Sequence, residues 1–254
     1  METATWKKFV SAKEHFRQIV KETDLSLPGL KKIQQAFADS RPEASYQVQT
    51  PVVYNYSLDD IEKNDTIKLI LVADNPGRRE QAQENRRYLV GPSGKIAKKF
   101  FADNIELGID FLRNVIILNK TPVHTPRTGD LKKICAGNFA SDGGSINFSA
   151  ISEALKDSQI KMADLLFQFQ QALCCPVWIT GYSEMKKGGI FEAYTQRLKE
   201  LYANNKEMYK QVFIYRHFSM NQFTIDLKHQ SMQNEKTASC LKRIGKAYRE
   251  RILG

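Results

Sequence analysis

Polar residues able to do chemistry stand where apolar runs of this chain end. Asp74-Asn75-Pro76-Gly77 follows one run, Asn119 closes a second, and His217-Phe218-Ser219 closes a later one. Another run ends in Gly181-Tyr182-Ser183, which offers less. A histidine brings a hydrogen-bond donor or a proton near neutral pH, a carboxylate can hold and polarise water, and an asparagine presents one amide donor beside one acceptor. Such a set can put a donor where negative charge develops and a water where positive charge develops. Each residue also has a plainer use. Asp or Asn before Pro-Gly makes a tight turn, an Asn ends a strand and starts a turn, and a His can cap a core strand.

The elements that would position them are legible as apolar patterns. TIKLILVAD (66–74), NVIILN (114–119), PVWITG (176–181) and QVFIYRH (211–217) are nearly continuous apolar runs, the form taken by strands buried on both faces. Amphipathic helices lie between them, one carrying Met162, Leu165, Leu166, Phe169, Ala172 and Leu173, another within 184–204. The order β-α-β-α-β-α-β predicts a three-layer α/β/α fold around a central four-stranded parallel sheet. Ligand sites in such sheets form beyond the carboxyl ends of the strands, where the polar residues gather.

Before this core, residues 5–22 set Trp6, Phe9, Val10, Phe16, Ile19 and Val20 on one helical face, and a second helix can begin near Pro28. Tyr46 to Tyr56 alternates, but Pro51 makes it an edge or a lead-in. The expected organisation is a single domain over 1–254, with a helical and extended preface over 1–60 and the α/β core over 61–254. A closing helix over about 235–252 turns Leu241, Ile244, Tyr248 and Ile252 inward and leaves Lys242, Arg243, Lys246 and Arg249 outside.

Composition narrows the partners. The 254 residues are 42 % apolar, enough for a sizeable core, and 38 Lys and Arg against 28 Asp and Glu leave a net charge of +10, which suits a polyanion. The amino terminus has no secretory pattern, and no stretch approaches the roughly 18 apolar residues of a membrane span, so a cytoplasmic protein without a membrane partner is expected. Cys135, Cys174, Cys175 and Cys240 include no C-x-x-C pair, which predicts reduced thiols and no metal knuckle.

Taken in order, ADNPG (73–77), RRYLVGPSG (86–94), VIILN (115–119) and HFS (217–219) resemble the motifs of the uracil-DNA glycosylase superfamily across roughly residues 66–225. That pattern comprises a strand followed by a Pro-Gly turn, a base-stacking segment, a strand-ending Asn and a late His loop. YLVGPSG looks most like the iron–sulfur branch. No cysteines align with that branch's ligands, so neither a cluster nor any other cofactor or metal is expected. Ala73 stands where a glycine is usual, and Phe218 where a proline is.

The resemblance implies an enzyme, acting as a monomer, that flips uracil or a related deaminated base out of DNA, hydrolyses its N-glycosidic bond and so initiates base excision repair. It implies that His217 stabilises the departing base, that Asn119 pairs with uracil, and that Asn75 or Asp74 positions the water. Tyr88 or Leu89 falls where a ring stacks on the base, Tyr88 being favoured because an aromatic face contributes about 1–3 kcal/mol per stacked base. Ser219 can hold a phosphate, Met220 or Phe223 can wedge into the vacated stack, and Lys120, Arg127 and Lys228 add basic contacts. His124 reads as another such contact or as solvent-exposed, and CAGNFASDGGS (135–145) as a flexible loop. GPSGK (91–95) lacks the spacing of a phosphate loop, which excludes nucleotide hydrolysis on that motif. The rival expectations are a nucleic-acid-binding relative without chemistry and a small-molecule enzyme on a similar sheet.

Overall fold

A computed structural model describes residues 1–41, 45–136 and 148–254. Most of the loop expected over 135–145 lies outside the described residues. All four apolar runs form strands, β1 (Leu69–Ala73), β2 (Val115–Asn119), β3 (Val177–Ile179) and β4 (Val212–Ile214), in one all-parallel sheet of order β2-β1-β3-β4. Register pairs Ala73 with Asn119 and Val72 with Ile179, so the carboxyl ends of β1, β2 and β3 lie level. Every residue of β1 and β2 is buried, which is why both read as unbroken apolar runs.

The helices in chain order are α1 (Thr3–Ser26), α2 (Leu30–Asp39), α3 (Pro92–Asp103), α4 (Asp130–Ala136), α5 (Phe148–Leu173), α6 (Glu192–Ala203), α7 (Lys206–Lys210), α8 (Gln222–Gln230) and α9 (Thr237–Leu253). From β1 the chain crosses through α3 to β2 on one side, then returns through α4 and α5 past β1 to β3, and through α6 and α7 to β4. Right-handed crossovers with that reversal place α3 on one face and α5 and α6 on the other. Packing agrees. Trp178 of β3 meets Phe100 and Phe101 of α3 and Phe223 of α8 at ring-centroid distances of 6.5, 5.4 and 6.1 Å. On the other face α1 lies along α5, with Phe9 and Phe169 5.5 Å apart and His15 Nδ1 2.8 Å from Gln168 Oε1.

The amino-terminal helices thus share the one hydrophobic core. The segment after them follows the free edge of β2: Val52 makes a lone antiparallel bridge to Val123, and Asn55 Nδ2 donates to Ile117 O at 2.8 Å. The closing helix buries Leu241, Ile244, Tyr248 and Ile252 as expected. Arg249, expected outside, is buried. Its guanidinium donates to Tyr209 O at 2.9 Å and to Glu250 Oε1 at 2.6 Å and lies 4.2 Å from the Tyr209 ring centre, so a carbonyl, a carboxylate and an aromatic face offset the burial of its charge.

Candidate active site

Strand order reverses between β1 and β3, which makes the crevice above their carboxyl ends the topological switch point of the sheet. Three loops fill it. Asp74 arrives directly after β1, Lys120 directly after β2, and Thr180-Gly181 directly after β3. Lys120 Nζ donates to Asp74 Oδ1 at 2.6 Å and to the Thr180 carbonyl, and stands 4.8 Å from the centre of the Phe191 ring. The Lys120 side chain is completely buried and that of Asp74 is 10 % exposed. Gly181, at φ +86°, leaves the room for this pair; a Cβ there would lie 2.1 Å from Asp74 Oδ1. Burial on its own would raise the Asp74 carboxyl, but Lys120, His217 and the Thr128 hydroxyl outweigh it and hold the group below the usual carboxylate range. Burial pulls the Lys120 ammonium below its ordinary value despite Asp74.

This corrects the expectation that Lys120 contacts DNA phosphate. A cation with no exposed surface and bonds to a carboxylate and a carbonyl serves the interior of the site.

His217 follows β4 and is half-buried. The backbone N–H of Ser219 donates to its Nδ1 at 3.0 Å, so a neutral ring carries its proton on Nε2. Burial lowers the His217 pKa, Asp74 partly opposing this and Lys120 adding to it, which keeps the ring neutral at pH 7 and makes Nε2 a donor. Beyond it Met220 and Asn221 take consecutive left-handed conformations, φ 53° and 58°, and Met220 is 82 % exposed. Two such residues in succession are costly outside glycine and tend to mark functional loops. Phe223 is core rather than wedge: it stacks on Phe218 at 4.3 Å and on Trp178, and Phe218 fills the interior where a proline was the familiar residue.

Asn119 is 1 % exposed and its Nδ2 has no hydrogen-bond partner among the described residues. Leaving such a donor unmet costs about 1–3 kcal/mol, and native proteins seldom accept that without a reason. Asn75, one residue beyond Asp74, has its amide engaged: Nδ2 donates to Thr125 Oγ1 at 2.8 Å and to Val123 O at 3.3 Å, tying the β1 turn to the β2 loop.

The loop expected to stack on a base is folded inward. Tyr88 is 2 % exposed, its hydroxyl donates to Val53 O at 2.6 Å, and its ring meets Phe16 edge-on at 6.2 Å. A phenol with a buried carbonyl partner is held in the core, so Tyr88 is no stacking platform. Leu89 is also buried, at φ 56°, and its carbonyl lies where a Cβ on Gly94 would be, 1.4 Å away. That contact seats the loop on the first turn of α3, which Pro92 starts. Arg127 and Lys228 are exposed, Lys228 in a cleft of about 720 Å³ between α3 and α8 that also holds Lys99 and Thr224.

Two buried titratable groups hold the β1 turn, and neither role was expected. Glu80 Oε2 accepts the Gly77 N–H at 2.8 Å, and the N–H groups of Leu89, Val90 and Gly91 also reach its carboxylate, clasping two loops together. His124 is wholly buried rather than exposed: Nδ1 donates to Pro76 O at 2.8 Å, leaving Nε2 to accept from the Tyr46 hydroxyl at 2.8 Å. In the sequence Glu80 stands in a charged stretch after Arg78 and Arg79, and only its place three residues after Gly77 is a sign of a local cap.

Burial raises Glu80 to about 7 and lowers His124 to about 4. The raised acid stabilises the fold at low pH and loses that contribution as pH climbs from about 4.5 to 7. The depressed histidine does the reverse, contributing above about 6.5 and losing it as pH falls to 4. Each spans about 3 kcal/mol, so the two nearly cancel between pH 5 and 6.5. Glu80→Gln is therefore expected to turn a flat profile of stability against pH into one that rises by about 2 kcal/mol over that interval, read by urea unfolding at each pH. Equal slopes in both proteins would refute the assignment.

Compared with family models, curated proteins and solved structures, the chain matches none. Among the described residues no helix is long and apolar enough to cross a membrane.

Proposed function

We propose that this chain is a DNA glycosylase of the uracil-DNA glycosylase kind, which receives a flipped uracil or related deaminated base and hydrolyses its N-glycosidic bond. The observation that supports the reading is the buried Asn119 Nδ2, without a hydrogen-bond partner among the described residues, at the strand end beside the Asp74 turn. A base whose edge offers a carbonyl next to an N–H would meet both the donor and the acceptor of that side chain. His217, neutral with its proton on Nε2, would donate to the oxygen on which the departing base gathers charge. Asp74, held ionised, would face the cation growing on the sugar and orient the incoming water. Met220, exposed on its strained loop, is the residue suited to enter the gap in the stack, with Arg127 and Lys228 on phosphates.

The test is a panel of single-lesion oligonucleotides carrying uracil, hypoxanthine, xanthine or hydroxymethyluracil, treated with alkali to reveal abasic sites. Wild type should release at least one of these bases, and Asn119→Ala should cut release of uracil about 10²–10³-fold, the usual cost of one donor in such a site. No release from any lesion sinks the reading. The buried ring of Tyr88 is the observation that favours the alternative, a relative that binds DNA without chemistry. Salt-sensitive DNA binding with no abasic product, indifferent to His217→Ala, would select it.

A further inference from the structure

We infer that Lys120 is a positioning residue for the reaction proposed above: its buried ammonium, bridged between Asp74 and the Thr180 carbonyl, fixes the carboxylate at the switch point and sets the charge of the site. This inference rests on the glycosylase reading for its catalytic consequence, though not for its electrostatics.

The geometry carries it. Lys120 Nζ has one carboxylate and two carbonyls within reach: Asp74 Oδ1 at 2.6 Å and Ala73 O at 3.4 Å from the end of β1, and Thr180 O from the end of β3. The backbone N–H of Lys120 reaches Ala73 O and Asp74 O at 3.1 and 3.0 Å, so main chain and side chain clasp the same turn. Phe191, fully buried, closes the cation from the other side. Removing a buried cation leaves its carboxylate partner unpaired, and such a group takes up a proton rather than stay charged. The charged and polar groups facing the pair are His217 and Thr128 toward Asp74, and Glu184, itself 3.7 Å from Lys132, toward Lys120. Of the cations, Lys120 alone bonds the carboxylate directly in the described residues. With its amine turned to three oxygens and no exposed surface, Lys120 is placed to hold a charge rather than to attack a sugar.

The test compares wild type, Lys120→Met and the double variant Lys120→Met/Asp74→Asn. Carboxyl-detected NMR titration of Asp74, assigned with Asp74→Asn, should show its midpoint moving up by about 1–3 pH units in Lys120→Met. The acid limb of the pH profile for base release should move with it, which a merely structural loss would not produce. The double variant should melt above Lys120→Met, since it no longer buries an unpaired carboxyl, and this comparison still reads the pair if the single variant folds poorly. An Asp74 midpoint unchanged in Lys120→Met, or a double variant no more stable than the single, overturns the inference. So does a borohydride-trapped protein–DNA adduct that vanishes in Lys120→Met, because Lys120 would then be the nucleophile. Wild type that releases no base while the Asp74 midpoint still moves refutes the glycosylase reading alone.

Discussion

For the proposed glycosylase reaction, Asp74→Asn is expected to slow base release from uracil-containing DNA by about 10²–10⁴-fold, the range associated with a positioned acid or base. Asparagine keeps the shape and still accepts from Lys120 through Oδ1, so the turn and the Lys120 contact survive while the negative charge is lost. The carboxylate lies at the switch point of the sheet, is shielded from solvent and shares the site with His217. In the proposed reaction a charge so placed would act on the developing sugar cation at low effective dielectric. Asn75, the competing candidate, gives its amide to Thr125 and Val123, so Asn75→Ala should loosen the turn and reduce the rate far less. Because Asp74 titrates below the ordinary carboxylate range, wild-type activity should persist to mildly acidic pH and fall only as that lowered value is crossed. Single-turnover release across pH, with melting curves as a control for folding, measures all three. If Asp74→Asn keeps more than about a tenth of the rate and Asn75→Ala does not, the roles are reversed.

Gly181→Ala carries the largest expected loss of stability, about 4 kcal/mol, composed of left-handed backbone strain and the separation of a buried ion pair. Its φ is +86°, and the added Cβ would sit 2.1 Å from Asp74 Oδ1 and 3.1 Å from Lys120 Nζ. Relaxation must move the carboxylate, the ammonium or the backbone, and the ammonium is tied to the loops after both β1 and β3. For a chain of this length the cost lowers the Tm by roughly 8–16 °C. Gly188→Ala is the matched control, with φ +72° and nothing within 4 Å of the added carbon, so it isolates the backbone cost. Equal losses at the two positions would show that the Asp74–Lys120 pair tolerates the intrusion.

The elements themselves were readable because buried strands leave a local mark. Leu69–Ala73 and Val115–Leu118 are apolar without a break, since both faces of these strands are buried. Helix faces likewise carried their signal, and the polar residues that end the runs marked the carboxyl edge of the sheet. What failed was the assignment of certain single side chains to inside or outside, three in loops and two, Phe223 and Arg249, in helices. Tyr88, Phe223, His124, Arg249 and Lys120 were all given exposed tasks, and all are buried. In a strand or helix the period marks the apolar face, whereas for a loop residue, a helix-start residue such as Phe223 or a polar helix residue such as Arg249 the partner decides. Those partners are distant: Val53 for Tyr88, Trp178 for Phe223, Pro76 for His124, Tyr209 for Arg249 and Asp74 for Lys120.

The sequence by itself therefore determined the four parallel strands and the loops that hold the candidate site residues, because burial on both faces and strand-end polarity are local patterns. Only the tertiary structure decided that the order is β2-β1-β3-β4, which makes the β1–β3 gap the crevice. It alone turned Lys120 from a surface cation into the counter-ion of Asp74. The reason is that a lysine goes inside only where a carboxylate and free carbonyls already wait, and these come from residues 46 and 60 positions away along the chain.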